Sequence, residues 1–135
     1  MDLQEAKVLF NQGIAAYQNN DFDLAIQLWN QIEKRSDEPK EVYARAQYNL
    51  GCVFQELKHY QEAEQAYKNV SRQDSAEYYS IAQNNLGNLL SDLKRFDEAE
   101  RVYKNVSRED SLEQYARAQF NLGVLLKQQQ RFEEA

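Results

Sequence analysis

Four asparagines recur at one phase of the chain: Asn11, Asn49, Asn85 and Asn121 each stand two residues before a glycine, at Gly13, Gly51, Gly87 and Gly123. Asn is a mediocre helix former, because its side chain competes for backbone hydrogen bonds, so its repetition at one register asks for a role. A carboxamide carries a donor and an acceptor together. It therefore matches the C=O and N–H of an extended peptide whatever that peptide's side chains. Two roles fit and can coexist: a structural hydrogen bond between neighbouring repeats, and a ladder that holds a partner's backbone. The same register carries Phe10, Tyr48, Asn84 and Phe120 three before each glycine. It carries Ile14, Cys52, Asn88 and Val124 one after it, and Lys7, Arg45, Ile81 and Arg117 six before it. On a helix these offsets share one face. The chemistry they predict is recognition, by apolar anchors, an amide ladder and a basic rim at Lys7, Arg45 and Arg117. The expected ligand is an extended or helical segment with an apolar anchor and acidic residues. The competing readings are aromatic packing against the next repeat and surface ion pairs, worth ~0–1 kcal/mol each. Further along the helices the face turns mixed, with Gln55, Glu56, Ser91, Asp92, Lys127 and Gln128.

Catalytic chemistry has little support. There is no Gly-rich phosphate loop and no Gly-x-Ser-x-Gly. His59 has Arg95 and Arg131 as its counterparts, the pattern of a polar surface position rather than a general base. Cys52 sits where Asn88 and Val124 sit, with no local His to activate it. One His and one Cys exclude an intramolecular disulfide and a His/Cys zinc site within the chain. Glu62, Glu64, Glu98, Glu100, Glu133 and Glu134 form an acidic stripe that reads as a solvated face. The chain is expected to be no enzyme and to need no cofactor or metal.

The elements that must position this face are repeats. Tyr48-Asn49-Leu50-Gly51 returns as Asn84-Asn85-Leu86-Gly87 and Phe120-Asn121-Leu122-Gly123, at a spacing of 36 residues. Tyr67-Lys68-Asn69-Val70-Ser71-Arg72 returns unchanged in type at Tyr103 to Arg108. A weaker first copy, with Phe10 to Gly13, Phe22 to Ala25 and Trp29, precedes them at an offset of 38, which places two extra residues near Ser36 to Lys40. Apolar residues recur every three to four positions, the period of a helix face, and no segment alternates as a strand does. Each unit reads as two helices, with breaks at Lys58-His59, Lys94-Arg95 and Gln130-Arg131. Asp21 is an expected N-cap, Ser111 with Gln114 an expected capping box, and Pro39 an early residue of the third helix. Gly within a helix costs ~1 kcal/mol relative to Ala, so glycines at one phase imply close helix contact. Tyr60 and Tyr67 are expected to fill space between units. The fold class is all-α, with units of about 3–38, 39–74, 75–110 and 111–135, the last incomplete.

Leu50-Gly51, Phe54, Tyr60, Ala63 and Tyr67, repeated in phase, resemble the tetratricopeptide repeat (TPR) family over almost the whole chain. The period of 36 departs from that family's usual 34, and Ser75 and Ser111 stand where a Pro often closes each unit. The resemblance implies a right-handed superhelical solenoid of antiparallel helix pairs. It also implies a concave face of first helices that binds partner peptides or helices, and Asn ladders there are known in the family. The family's carboxylate clamp uses Lys where this chain has Phe10, Tyr48, Asn84 and Phe120, so that clamp is not expected.

With 42% hydrophobic residues the chain can bury a core, and its net charge of −6 argues against nucleic-acid binding. The N-terminus lacks the pattern of a secretory signal, and no apolar run approaches the ~20 residues that span a bilayer. A cytosolic location is expected. Residues 131–135 begin a second helix for the fourth unit, so the sequence reads as a piece of a longer array or as an edge completed by a second chain. The leading expectation is a protein-interaction scaffold. The alternatives are a self-association module using that edge and the non-catalytic arm of a larger protein.

Overall fold

The computed structural model describes residues 1–34 and 40–134. Among these, seven helices and no strand are found: α1 (Leu3–Gln18), α2 (Phe22–Asn30), α3 (Glu41–Glu56), α4 (Tyr60–Lys68), α5 (Ala76–Asp92), α6 (Phe96–Lys104) and α7 (Leu112–Glu134). Pro39 and the extra residues near Ser36 lie outside the described residues. The chain divides into two compact units, Met1–Ser75 and Ala76–Ala135, at the border between the second and third repeats.

In the first unit α1 pairs with α2 and α3 with α4, while α3 also packs on α1 and α2. Its core gathers Phe10, Trp29, Ile32, Leu50 and Val53 with the small residues Ala6, Ala25 and Ala46. In the second unit α5 pairs with α6, and α7 packs on both. Leu86, Leu89, Leu90, Tyr103 and Leu125 are buried there. The glycines do not serve backbone conformation, since none has a positive φ. They serve proximity. A Cβ on Gly13, Gly51 or Gly87 would lie less than 3.0 Å from the ring of Trp29, Tyr67 or Tyr103 respectively. Each ring belongs to the second helix of its own pair. Tyr67 therefore packs within its unit of sequence repeat, while Tyr60 is exposed rather than filling space between repeats.

Each turn within a pair closes through a left-handed residue: Asn20, Lys58 and Lys94 have φ of 61°, 63° and 63°. The His59 N–H donates to the Phe54 carbonyl at 2.8 Å and the Lys58 N–H to that of Gln55 at 3.0 Å. This is the Schellman arrangement, which usually places Gly at the left-handed site. A Cβ there costs roughly 1–2 kcal/mol. We expect Lys58→Gly to stabilise the first unit by about 1 kcal/mol, read as a shifted urea midpoint at constant slope.

The capping expectations divide. Asp21 caps α2, accepting from the Leu24 N–H at 3.2 Å. Ser111 accepts from the Gln114 N–H at 3.1 Å, but the return half of the box is missing. The Ser111 N–H already donates to the Ser107 carbonyl at 3.3 Å, and the Gln114 side chain instead accepts from the buried Asn84 amide at 2.9 Å, where a polar group left unpaired is costly. Asp2, not singled out from the sequence, caps α1 by accepting from the Glu5 N–H at 2.8 Å.

The break expected at Gln130-Arg131 does not form. α7 runs through it as one helix of 23 residues. In the other pairs the strain of the left-handed turn is offset by packing of the helix that follows. Here residues 131–134 keep their own backbone ladder, and side chains of Gln129 and Gln130 donate to Glu133 and Glu134 at 3.4 and 3.1 Å. Phe132 lies edge-on to Phe96 of α6, with ring centroids 5.5 Å apart.

Candidate partner-binding surface

All four ladder asparagines reach solvent: Asn11 is exposed, and Asn49, Asn85 and Asn121 are half-buried. The side chains of Asn11, Asn49 and Asn121 make no hydrogen bond among the described residues. Ties between helices fall instead to a second pair of asparagines. The Asn69 amide donates to Gln47 at 2.9 Å, and the Asn105 amide donates to Gln83 at 3.2 Å. Each of these bonds runs from the end of a second helix back to the first helix of its pair. The sequence carried the signal, since both Asn and Gln repeat at 36 residues, but register alone does not say which Asn faces inward.

The residues three before each glycine do not share one environment. Phe10 is 6% exposed, with its ring 6.4 Å from that of Trp29, and so belongs to the core. Asn84 is buried and donates to the backbone and side-chain oxygens of Gln114, both at 2.9 Å, bracing α5 against α7. Tyr48 is half-buried beside Tyr67, at 6.4 Å between centroids. Phe120 is 72% exposed. Two of the three residues of the basic rim are engaged internally. The Arg45 guanidinium stacks over the Phe10 ring at 4.6 Å, and Arg117 pairs with Glu113 at 3.2 Å. Lys7 is exposed.

Two clefts occupy equivalent places in the two units. In the first unit a cleft of about 220 Å³ is lined by Ile14, Tyr17, Trp29, Tyr48, Asn49, Cys52 and Val53. In the second, a cleft of about 280 Å³ is lined by Asn88, Ser91, Asp92, Tyr103, Asn121, Val124 and Gln128. By repeat position Ile14 matches Asn88, Tyr17 matches Ser91, Trp29 matches Tyr103, Asn49 matches Asn121 and Cys52 matches Val124. Each cleft thus lies between successive first helices, floored by the aromatic that rests on the glycine and flanked by a ladder Asn. The walls differ: apolar around Asn49, polar around Asn121.

Hydroxyls at and near these walls are committed. Tyr17 donates to Glu56 at 2.5 Å, and this bond holds its phenol above the usual range. Tyr67 donates to Gln55 at 2.8 Å and also contacts the Cys52 sulfur at 3.7 Å. Tyr103 donates to Asn88, and its phenol is raised well above the usual range, first by burial and then by the nearby Asp92 charge. Ser91 donates to Gln128 at 2.9 Å. No group of three or more His, Cys, Asp or Glu side chains suited to a metal is found among the described residues, and no described helix is long and apolar enough to cross a membrane. His59 lies 3.6 Å from Glu62 at an exposed turn, away from both clefts.

Stacked helix pairs with an aromatic-on-glycine crossing and open clefts between first helices define an all-α helical-repeat interaction fold. A family profile described as Tetratricopeptide repeat matches residues 10–78 and 84–135. The chain belongs to the tetratricopeptide repeat family, whose repeats generally mediate protein–protein interaction. A search of curated proteins found no match.

Proposed function

We propose that this chain is a non-catalytic interaction module that binds partner-protein segments on the first helices of each unit, at the cleft beside Asn49 in one and at the cleft beside Asn121 in the other. The observation that carries this reading is the recurrence of the cleft at equivalent positions, each time with a ladder Asn whose amide has no internal hydrogen bond. An amide left open at a half-buried wall is ready to pair with a peptide backbone, while an apolar pocket beside it takes a side chain. The proposed setting is the cytosol, where a single thiol such as Cys52 stays reduced. Asn49→Ala is expected to weaken a peptide selected on this chain by about 10-fold, the loss of roughly 1.4 kcal/mol. Its thermal melt by circular dichroism should be unchanged, because Asn49 makes no internal bond. Equal binding by the folded variant would make the ladder irrelevant to recognition.

A second reading is self-association through α7. Phe120, Leu126 and Phe132 are 72%, 52% and 58% exposed, and among the described residues nothing beyond the local backbone of α7 stands within 4 Å of a Cβ built on Gly123. The corresponding Leu90 and Gly87 of α5 are buried. On this reading sedimentation velocity shows mass rising with concentration, and Leu126→Glu abolishes the rise. A constant monomer mass at high concentration would end it.

A further inference from the structure

We infer that the cleft of the second unit is a pocket for a cationic side chain, a Lys or Arg carried by the partner segment. This rests on the peptide-binding reading and names the chemistry that one of its two clefts selects.

Asp92 is the charged residue in the lining, and no Lys or Arg is among the other residues that form it. Its carboxylate is exposed and makes no ion pair or hydrogen bond among the described residues. The contrast with the first unit is direct. There Tyr17 donates to Glu56 at 2.5 Å, and neutral Gln18 holds the repeat position that Asp92 holds here. Small Ser91 replaces that tyrosine in the third repeat and donates to Gln128, the counterpart of Glu56. Substituting a short hydroxyl for a long phenol opens the cleft, and Asp92 adds a carboxylate at a repeat position where the first unit has Gln18.

The neutral groups add to the preference. The Tyr103 proton is spent on Asn88 and the Ser91 proton on Gln128, so both hydroxyl oxygens are left with lone pairs to offer. An ammonium or guanidinium, which only donates, suits such acceptors. Asp92 is also the last residue of α5, at the negative end of the helix dipole. A carboxylate is disfavoured there and a bound cation is favoured. The basic rim read from the sequence pointed to acidic ligands, but Arg45 and Arg117 are engaged with Phe10 and Glu113. Within the lining of this cleft the charge is negative.

The test starts from a random peptide library displayed against the 135-residue chain. The best binder is synthesised and its affinity measured by fluorescence anisotropy. Selected peptides should be enriched in Lys or Arg. Asp92→Asn, nearly isosteric and at an exposed site, should weaken binding about 10-fold, and so should replacing the key cation of the peptide with Gln. Both changes together should cost no more than either alone, because they remove one interaction. Additive losses, or indifference to Asp92→Asn in a peptide that Asn121→Ala still weakens, would overturn the cationic pocket and leave peptide binding standing. Failure to select any peptide would overturn both.

Discussion

Gly51→Ala is expected to destabilise the first unit by about 2 kcal/mol, while Gly123→Ala stabilises the second by about 1 kcal/mol. The same chemical change has opposite signs at equivalent places in the repeat. Intrinsic propensity favours Ala at both, by ~1 kcal/mol inside a helix. At Gly51 the new methyl meets the Tyr67 ring at less than 3.0 Å, and Tyr67 is fully buried, so the ring has nowhere to go. The helices must part, and overpacking of that kind costs about 1–3 kcal/mol or more. Gly13→Ala and Gly87→Ala meet Trp29 and Tyr103 in the same way. At Gly123, beyond the local backbone of α7, no atom of the described residues lies within 4 Å of the new methyl, so propensity acts alone. Urea unfolding of the four variants checks this. A stabilised Gly51→Ala would mean that the helix crossing is looser than it is here.

Trp29→Ala is expected to cost about 3–5 kcal/mol, a large share of what a small unit has. Trp29 is 1% exposed and contacts Phe10 and Tyr17, each at 6.4 Å between ring centroids. Its indole N–H donates to the Phe10 carbonyl at 3.2 Å. Removal leaves a cavity, and the Phe10 carbonyl, already an acceptor within α1, loses its second donor. The informative variant is the double one. Once Trp29 is gone, a methyl at position 13 has room, so Gly13→Ala should lose its penalty and recover part of its helix propensity. The double-mutant cycle is therefore expected to be non-additive by about 1–3 kcal/mol, with the pair more stable than the sum of the single losses predicts. Additivity would show that the glycine and the indole do not compete for the same space.

These two predictions rest on a pairing the sequence disclosed only in part. Four glycines at one phase implied close contact, and the aromatic that follows each of the first three by 16 residues was visible as a repeat. That this aromatic lies on the glycine of its own helix pair is a statement about three dimensions. The capping box behaved similarly. Ser111 does the local half, and the buried Asn84, distant in sequence, took Gln114 away from the other half. Of the residues foreseen as a binding face, Asn49, Cys52, Tyr48, Asn88 and Asn121 line the clefts, whereas Phe10 and Asn84 are buried. Residues three before the glycine lie at the edge of the helix face. There a small rotation decides between core and surface, and neighbouring side chains set that rotation.

Periodicity, glycine phase and the 36-residue spacing are properties of the chain itself, and they sufficed to determine an all-α array of helix pairs and the register of its asparagines. Which of two repeated asparagines ties helices together and which faces solvent was decided by the tertiary structure. So were the conversion of the arginine rim into internal contacts and the continuation of α7 through the expected turn. The physical reason is common to all of these. A helix follows from bonds between residues four apart, whereas a turn, a buried amide or an open cleft is held in place only by what packs against it.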